Sequence, residues 1–110
     1  MRPYDSLSRQ ADFTRLRRRG RRLETPHVTI FAAPASGRRP KVAFVTVKAF
    51  GGAVERNRAR RRVRAAFERL GPAAGPSLFD LILSVRPSVD AVAFDVLCEE
   101  LGGALRRLRA

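Results

Sequence analysis

The chain has one cysteine, Cys98, one histidine, His27, and no tryptophan. A lone thiol excludes an internal disulfide, and one thiol with one imidazole cannot furnish the usual four ligands of a structural zinc site. Carboxylates are scarce too: 10 Asp and Glu stand against 23 Lys and Arg, a formal charge of +13 on 110 residues. The basic half holds only Asp5, Asp12, Glu24 and Glu55, which are too scattered for the clustered carboxylates that a metal-dependent nuclease needs. His27 has no obvious partner in sequence for general acid–base work. No apolar run approaches the ~20 residues that span a bilayer, and the N-terminal stretch lacks the apolar segment of a secretory signal. A cytoplasmic protein with no membrane partner is expected.

What is present suffices for one folded unit. Hydrophobic residues make up 45% of the chain, enough for a single core, and the length sets one domain over residues 1–110 as the ceiling. The charge is unevenly placed. Residues 1–64 carry 18 basic and four acidic residues, net +14, whereas residues 65–110 carry five and six, net −1. One region can therefore engage a polyanion while the rest stays neutral, and nucleic acid is the leading partner. Of the basic residues 21 are arginine, a choice that a GC-rich genome largely explains but that also suits phosphate forks and base stacking.

Periodicity divides the chain into alternating helices and strands. A short helix, capped near Ser8, runs to about Arg19 with Asp12 in its first turn and Gly20 as its stop. Extended segments follow: a stretch to Thr25, then His27–Ala33, then Lys41–Lys48. The Pro34–Pro40 segment, with two prolines, a glycine and paired arginines, reads as a solvated hairpin loop joining antiparallel strands. Alternation sends Val28, Ile30 and Ala32 to one face and Thr29, Phe31 and Ala33 to the other, so Phe31 points away from the main core. A helix is predicted over Ala53–Leu70 from the stripe Ala59, Val63, Ala66, Phe67 and Leu70, ended by Gly71–Pro76. Leu78–Val85 reads as a buried strand stopped by Arg86-Pro87. A last helix spans about Asp90–Leu108, with Phe94, Leu97, Cys98, Leu101, Leu105 and Leu108 on its core face. Cys98 is most simply a small core residue. This order gives two-layer α+β packing.

The Ala53–Leu70 helix carries the chemistry. At ~100° per residue, Asn57, Arg60, Arg61 and Arg64 fall on one flank of the core stripe, Arg58, Arg62 and Arg69 fall on the other, and Arg56 lies near its edge. Six arginines and no acid stand between Arg56 and Arg64, and like charges at i, i+4 repel by a few tenths of a kcal/mol per pair. An anion relieves that repulsion. Grooved nucleic acid backbones present several phosphates at helical spacing, and Asn57 offers both donors and acceptors for a base, a 2′-hydroxyl or a bound hydrated metal ion.

The segment Lys48-Ala-Phe-Gly-Gly-Ala-Val-Glu-Arg-Asn-Arg-Ala-Arg-Arg-Arg-Val-Arg64 resembles the signature of bacterial ribonuclease P protein components, whose hallmark Arg-Asn-Arg stands at Arg56, Asn57 and Arg58. Asp12-Phe13 followed by Gly20 is similar to the family's first helix, and Asp80–Pro87 to its strand ending in Arg-Pro. The resemblance implies a ribosomal protein S5 domain 2-like α+β fold, α-β-β-β-α-β-α, with a left-handed β-α-β crossover. It further implies a protein subunit with no catalytic residue or metal ligand of its own. Such a subunit assists a catalytic RNA that holds the magnesium ions and removes the 5′ leader of precursor tRNA. By this resemblance Lys48, Arg56, Asn57, Arg58, Arg60, Arg61 and Arg64 contact the ribonuclease P RNA. A cleft between the first helix and the sheet, with Phe13, Arg17 and Phe31, receives the leader. No obligate protein partner is implied. Arg17 stands where relatives often have an aromatic, Ala49 where a basic residue is common, and Ala65 where Glu or Gln often follows the arginine. The leader groove thus leans more on charge than on stacking.

Overall fold

The computed structural model describes residues 4–48, 51–70 and 79–109. In chain order these form β1 (Asp5–Ser6), α1 (Gln10–Arg19), β2 (Arg21–Glu24), β3 (Val28–Pro34), β4 (Lys41–Thr46), α2 (Ala53–Leu70), β5 (Phe79–Val85), a 3-10 turn (Pro87–Ala91) and α3 (Phe94–Arg109). The α+β architecture is the one expected, with the two-residue β1 added at its start.

Leu81, Ile82 and Leu83 are all fully buried, which consecutive strand residues achieve only when both faces of their strand are covered. β5 is accordingly the central strand of a five-stranded sheet ordered β1-β4-β5-β3-β2. It pairs antiparallel with β3, from Val28 opposite Val85 to Pro34 opposite Phe79, and parallel with β4, from Val42 opposite Leu81 to Thr46 opposite Val85. This corrects the hairpin expectation for Pro34–Pro40. β3 and β4 do run in opposite directions, but β5 lies between them, because its apolar run gains most by pairing on both edges. Residues 34–40 thus bridge two strand spacings, ~10 Å, instead of making a tight turn. The β4–α2–β5 connection is the β-α-β unit.

The sheet's two faces have unequal cover. Val28, Ile30, Ala32, Val42, Leu81, Leu83 and Val85 pack beneath α2 and α3, against Ala59, Val63, Ala66, Phe67, Leu97, Leu101 and Leu105. On the other face α1 lays Leu16 over Ala33, Ala43 and Ile82, with Leu7 beside them and Phe13, Phe31 and Val45 half-buried at the margin. The β3 alternation is as predicted, and so is the α2 stripe, with Leu70 half-buried at its end. Cys98 is half-buried against the main core. The predicted Gly71–Pro76 stop and the strand start at Leu78 lie outside the described residues.

Two helix ends differ from expectation. Arg9, the polar neighbour of Ser8, occupies the N-cap of α1 but makes no side-chain cap bond. The last helix begins at Phe94, not Asp90, because Pro87–Ala91 winds as a 3-10 turn and Val92 is extended. The Val89 and Val92 carbonyls, which a continuous helix would bond internally, accept from the Arg62 guanidinium instead.

Gly20 ends α1 as expected, though in an extended conformation (φ −75°, ψ 163°). Close approach, not a left-handed turn, demands the glycine: an added Cβ would collide with the Leu16 carbonyl oxygen and stand 2.7 Å from that of Ala32. Gly20→Ala should therefore cost ~1–3 kcal/mol, read as a lower urea midpoint at unchanged m-value.

Candidate nucleic-acid interface

The buried Ala59, Val63, Ala66 and Phe67 fix α2 on the sheet and leave its arginines on two flanks with different fates. On the flank beside α3 the side chains are occupied within the protein. Arg62 is bound to the two carbonyls just described, Arg58 Nη2 lies 3.7 Å from Asp90, and the Arg69 guanidinium sits 5.8 Å from the Phe94 ring centroid. Arg58 thus stands apart from the other arginines that the resemblance assigned to the RNA subunit. Its ion pair is exposed, and such pairs contribute little.

The opposite flank is open. Asn57, Arg60, Arg61 and Arg64 together line a concave surface of about 390 Å³. Arg60 is hydrogen-bonded to the Asn57 side-chain oxygen, which leaves the Asn57 amide free to donate. Among the described residues no carboxylate forms a salt bridge with Lys48, Arg56, Arg60, Arg61 or Arg64. Arg56 is half-buried and Lys48 exposed, and α2 brings the remaining basic residues onto one surface.

A second concavity, about 230 Å³, lies where β1 ends and leaves the outer edge of β4 uncovered, between Leu7, Phe13, Ala43, Val45 and Arg64. Phe13 from α1 and Phe31 from β3 belong to the same half-buried cluster. Phe31 carries the Arg22 guanidinium 5.8 Å from its ring centroid. Arg17, one helical turn beyond Phe13, is exposed. The three residues expected at a leader cleft therefore lie on the α1 side of the sheet.

Asp80 holds α1 there. Its side chain has no solvent exposure and accepts from Arg15 Nη2 at 2.6 Å, the Lys41 backbone N–H at 2.9 Å, and the Ser36 N–H and hydroxyl at 3.4 Å each. The Arg15 guanidinium is held protonated above its usual range chiefly by that Asp80 bond, against the opposing effect of burial. Sequence reasoning gave Asp80 no structural role, because a carboxylate within an apolar strand carries no signal of its partner 65 residues away.

At the other end of the sheet Arg86 closes the β2–β3 turn, donating to the Thr25 carbonyl at 2.9 Å, Thr29 Oγ1 at 2.6 Å and Glu24 at 2.5 Å. Glu24 is held below its usual range, first by the Arg22 hydrogen bond and then by Thr29 and the nearby charges. Its depressed value means that this contribution is present at neutral pH and is lost as pH falls below about 4.5. His27 does find partners: Ser88 Oγ at 2.8 Å and Glu100 at 3.5 Å. They tie the turn to α3. Among the described residues no group of three or more His, Cys, Asp or Glu is placed to hold a metal ion, and none of the helices is long and apolar enough to cross a membrane.

Fold and surface define a small α+β protein that presents one cationic helix flank, without salt bridges among the described residues, beside a half-open sheet face. The family model described as Ribonuclease P matches residues 1–109. The ribonuclease P protein component of Chloroflexus aurantiacus (strain J-10-fl) is 37% identical over 97% of this chain and 79% of its own length. That of Paramagnetospirillum magneticum is 34% identical over 96% and 84%. Among solved structures, the RNase P protein from Thermotoga maritima superposes with a TM-score of 0.79 at 24% identity, covering 94% of this chain and 96% of that one. A Staphylococcus aureus RNase P protein gives 0.77 at 18%, covering 94% of each. The chain belongs to the ribonuclease P protein family.

Replacing Asp80 with Ala strips Arg15 and two backbone-anchored donors of their acceptor. Arg15 is 29% exposed and can rehydrate, so the loss should fall near the lower end of the range for broken buried pairs, ~3 kcal/mol. Chemical denaturation measures it, and Asp80→Asn should recover part.

Proposed function

We propose that this chain is the protein subunit of a ribonuclease P holoenzyme. It binds the catalytic RNA through the open flank of α2 and the single-stranded 5′ leader of precursor tRNA along the α1 side of the sheet. One observation carries the reading: Arg60, Arg61 and Arg64 share a surface on which, among the described residues, none of them forms a salt bridge, and that surface adjoins the groove beside Phe13. Repelling guanidinium groups held together by a core stripe are stabilised by phosphates.

In this reading Lys48, Arg56, Asn57, Arg60, Arg61 and Arg64 meet the RNA subunit, with Arg58 joining them by giving up its weak pair to Asp90. Phe13 and Phe31 stack on exposed leader bases, at ~1–3 kcal/mol each, while Arg17 neutralises leader phosphates. Magnesium belongs to the RNA, and no step is assigned to a protein-bound metal. The polypeptide positions substrate and screens charge, in the cytoplasm, with no obligate protein partner.

Reconstitution tests the proposal. Mixed with a bacterial ribonuclease P RNA at low magnesium, the chain should stimulate cleavage of precursor tRNA at the mature 5′ end, and alone it should cleave nothing. Correct cleavage by RNA-free protein would overturn the division of labour, and no stimulation would favour a purely structural RNA-binding role. With about five phosphates neutralised, log affinity for the RNA subunit should fall against log salt with a slope of roughly −3.5 to −4.5. The double variant Arg60→Ala/Arg64→Ala should weaken that binding while a cooperative unfolding transition is retained, since neither side chain belongs to the core stripe.

A further inference from the structure

Arg64 is the one residue, among those described, that lines both concavities: the arginine surface of α2 and the groove between β4 and α1. Its side chain is placed by an aromatic stack. The guanidinium lies 5.3 Å from the centroid of the Phe44 ring. Phe44 in turn meets Tyr4 edge-on at 6.4 Å and Phe67 at 5.7 Å, and Tyr4 meets Phe67 at 5.6 Å. The buried Tyr4 donates its hydroxyl to Glu68 at 2.5 Å, which fastens the N-terminal segment to α2. The Phe44 ring, itself held by Tyr4 and Phe67, thus covers one face of an otherwise exposed arginine.

Phe44 is only half-buried, packed at the margin of the main core, where an aliphatic side chain would also fill space. The ring adds orientation. A guanidinium resting on an aromatic face keeps its N–H edges directed outward and loses less rotamer freedom when it meets a phosphate than one swinging in water. We propose that Phe44 is a positioning residue that presents Arg64 to an RNA phosphodiester at the junction of the two surfaces. This rests on the RNA-binding reading above. The phosphodiester can come from the RNA subunit or from the leader as it leaves the groove, and the two have separate readouts.

The experiment is a double-mutant cycle on the full chain. Phe44→Leu, Phe44→Tyr, Arg64→Ala, Arg64→Lys and Phe44→Leu/Arg64→Ala are each measured for affinity to a bacterial ribonuclease P RNA. Each reconstituted holoenzyme is then measured for affinity to precursor tRNA and to the same tRNA without its leader. Phe44→Leu should weaken one of the first two affinities roughly two- to fivefold, the size of an exposed cation–π contact. Phe44→Tyr should match the parent, and Arg64→Lys, which keeps charge but not the planar stack, should lose as much as Phe44→Leu. In the Arg64→Ala background Phe44→Leu should have no further effect. An effect on RNA-subunit affinity assigns the phosphate to that RNA, and an effect confined to the precursor assigns it to the leader. The inference is overturned if Phe44→Leu weakens binding equally with and without Arg64, if Phe44→Tyr loses as much as Phe44→Leu, or if Arg64→Ala leaves every affinity unchanged. Failure of the parent chain to bind either RNA would overturn the functional reading as well, so the two failures are distinguishable.

Discussion

A carboxylate taken wholly out of water organises the face on which α1 sits. Asp80 is the second residue of the central strand, where burial of an unpaired charge would cost several kcal/mol, and the donors that relieve that cost come from three separate segments: Arg15 in α1, Ser36 in the connection after β3, and Lys41 at the start of β4. Each is thereby placed relative to β5. The connection is drawn over the end of the strand it must cross, and α1 is held by one residue while its neighbour Leu16 seals the small core beneath. Asp12, which pairs with Arg15 at 3.3 Å and lies 3.8 Å from the Lys41 amine, extends the network on its solvent side. The half-open groove exists because α1 is pinned at the Asp80 end and β1 stops after two residues, which leaves Val45 and Phe31 at the margin.

α2 meets two opposed demands. Its core face is a narrow seam of Ala59, Val63 and Ala66, small enough to bring the helix close to the sheet but limited in apolar area. Its remaining circumference is cationic, and self-repulsion works against the helix. The flank toward α3 resolves this within the protein, where carbonyls, a carboxylate and a ring receive Arg62, Arg58 and Arg69. On the other flank, among the described residues, Arg60 bonds to Asn57 and Arg64 lies over the Phe44 ring, but no carboxylate or backbone carbonyl receives Arg60, Arg61 or Arg64. The asymmetry follows from where the 3-10 turn and α3 pack, so the direction in which α2 presents its open positive charge is set by the tertiary fold and not by the distribution of arginine along the helix.

That distinction marks what the sequence could disclose. Periodicity located α2 to the residue, separated the faces of β3, and found the core side of α3, because those features depend on the spacing of apolar side chains along one segment. Strand adjacency depends on which edges bury most when all segments compete, and nothing local in Pro34–Pro40 distinguishes a hairpin from a bridge over an inserted strand. Likewise the wheel of α2 showed two arginine flanks but could not tell that Arg62 turns inward, since its acceptors lie 27 and 30 residues away. His27 seemed partnerless for the same reason, its partners being 61 and 73 residues off along the chain. The resemblance named candidate interface residues, whereas the division between occupied and open arginines required tertiary structure.

The near absence of lysine gains meaning from these contacts. Arg15, Arg62 and Arg86 each bridge two or more acceptors with a rigid fork, and Arg22, Arg64 and Arg69 each lie over an aromatic ring. A lysine ammonium, a compact and strongly hydrated point charge, reproduces neither the planar stack nor the fork that spans fixed acceptors. Only the open positions, such as Arg61, use the side chain as charge alone, and there either cation supplies that charge. A genome-wide preference for arginine can supply all of these residues at once, but the geometry divides them into those where arginine is required and those where it is merely available. Charge-conserving replacements therefore separate the structural arginines from the ones that only carry charge, which deletion to alanine cannot do.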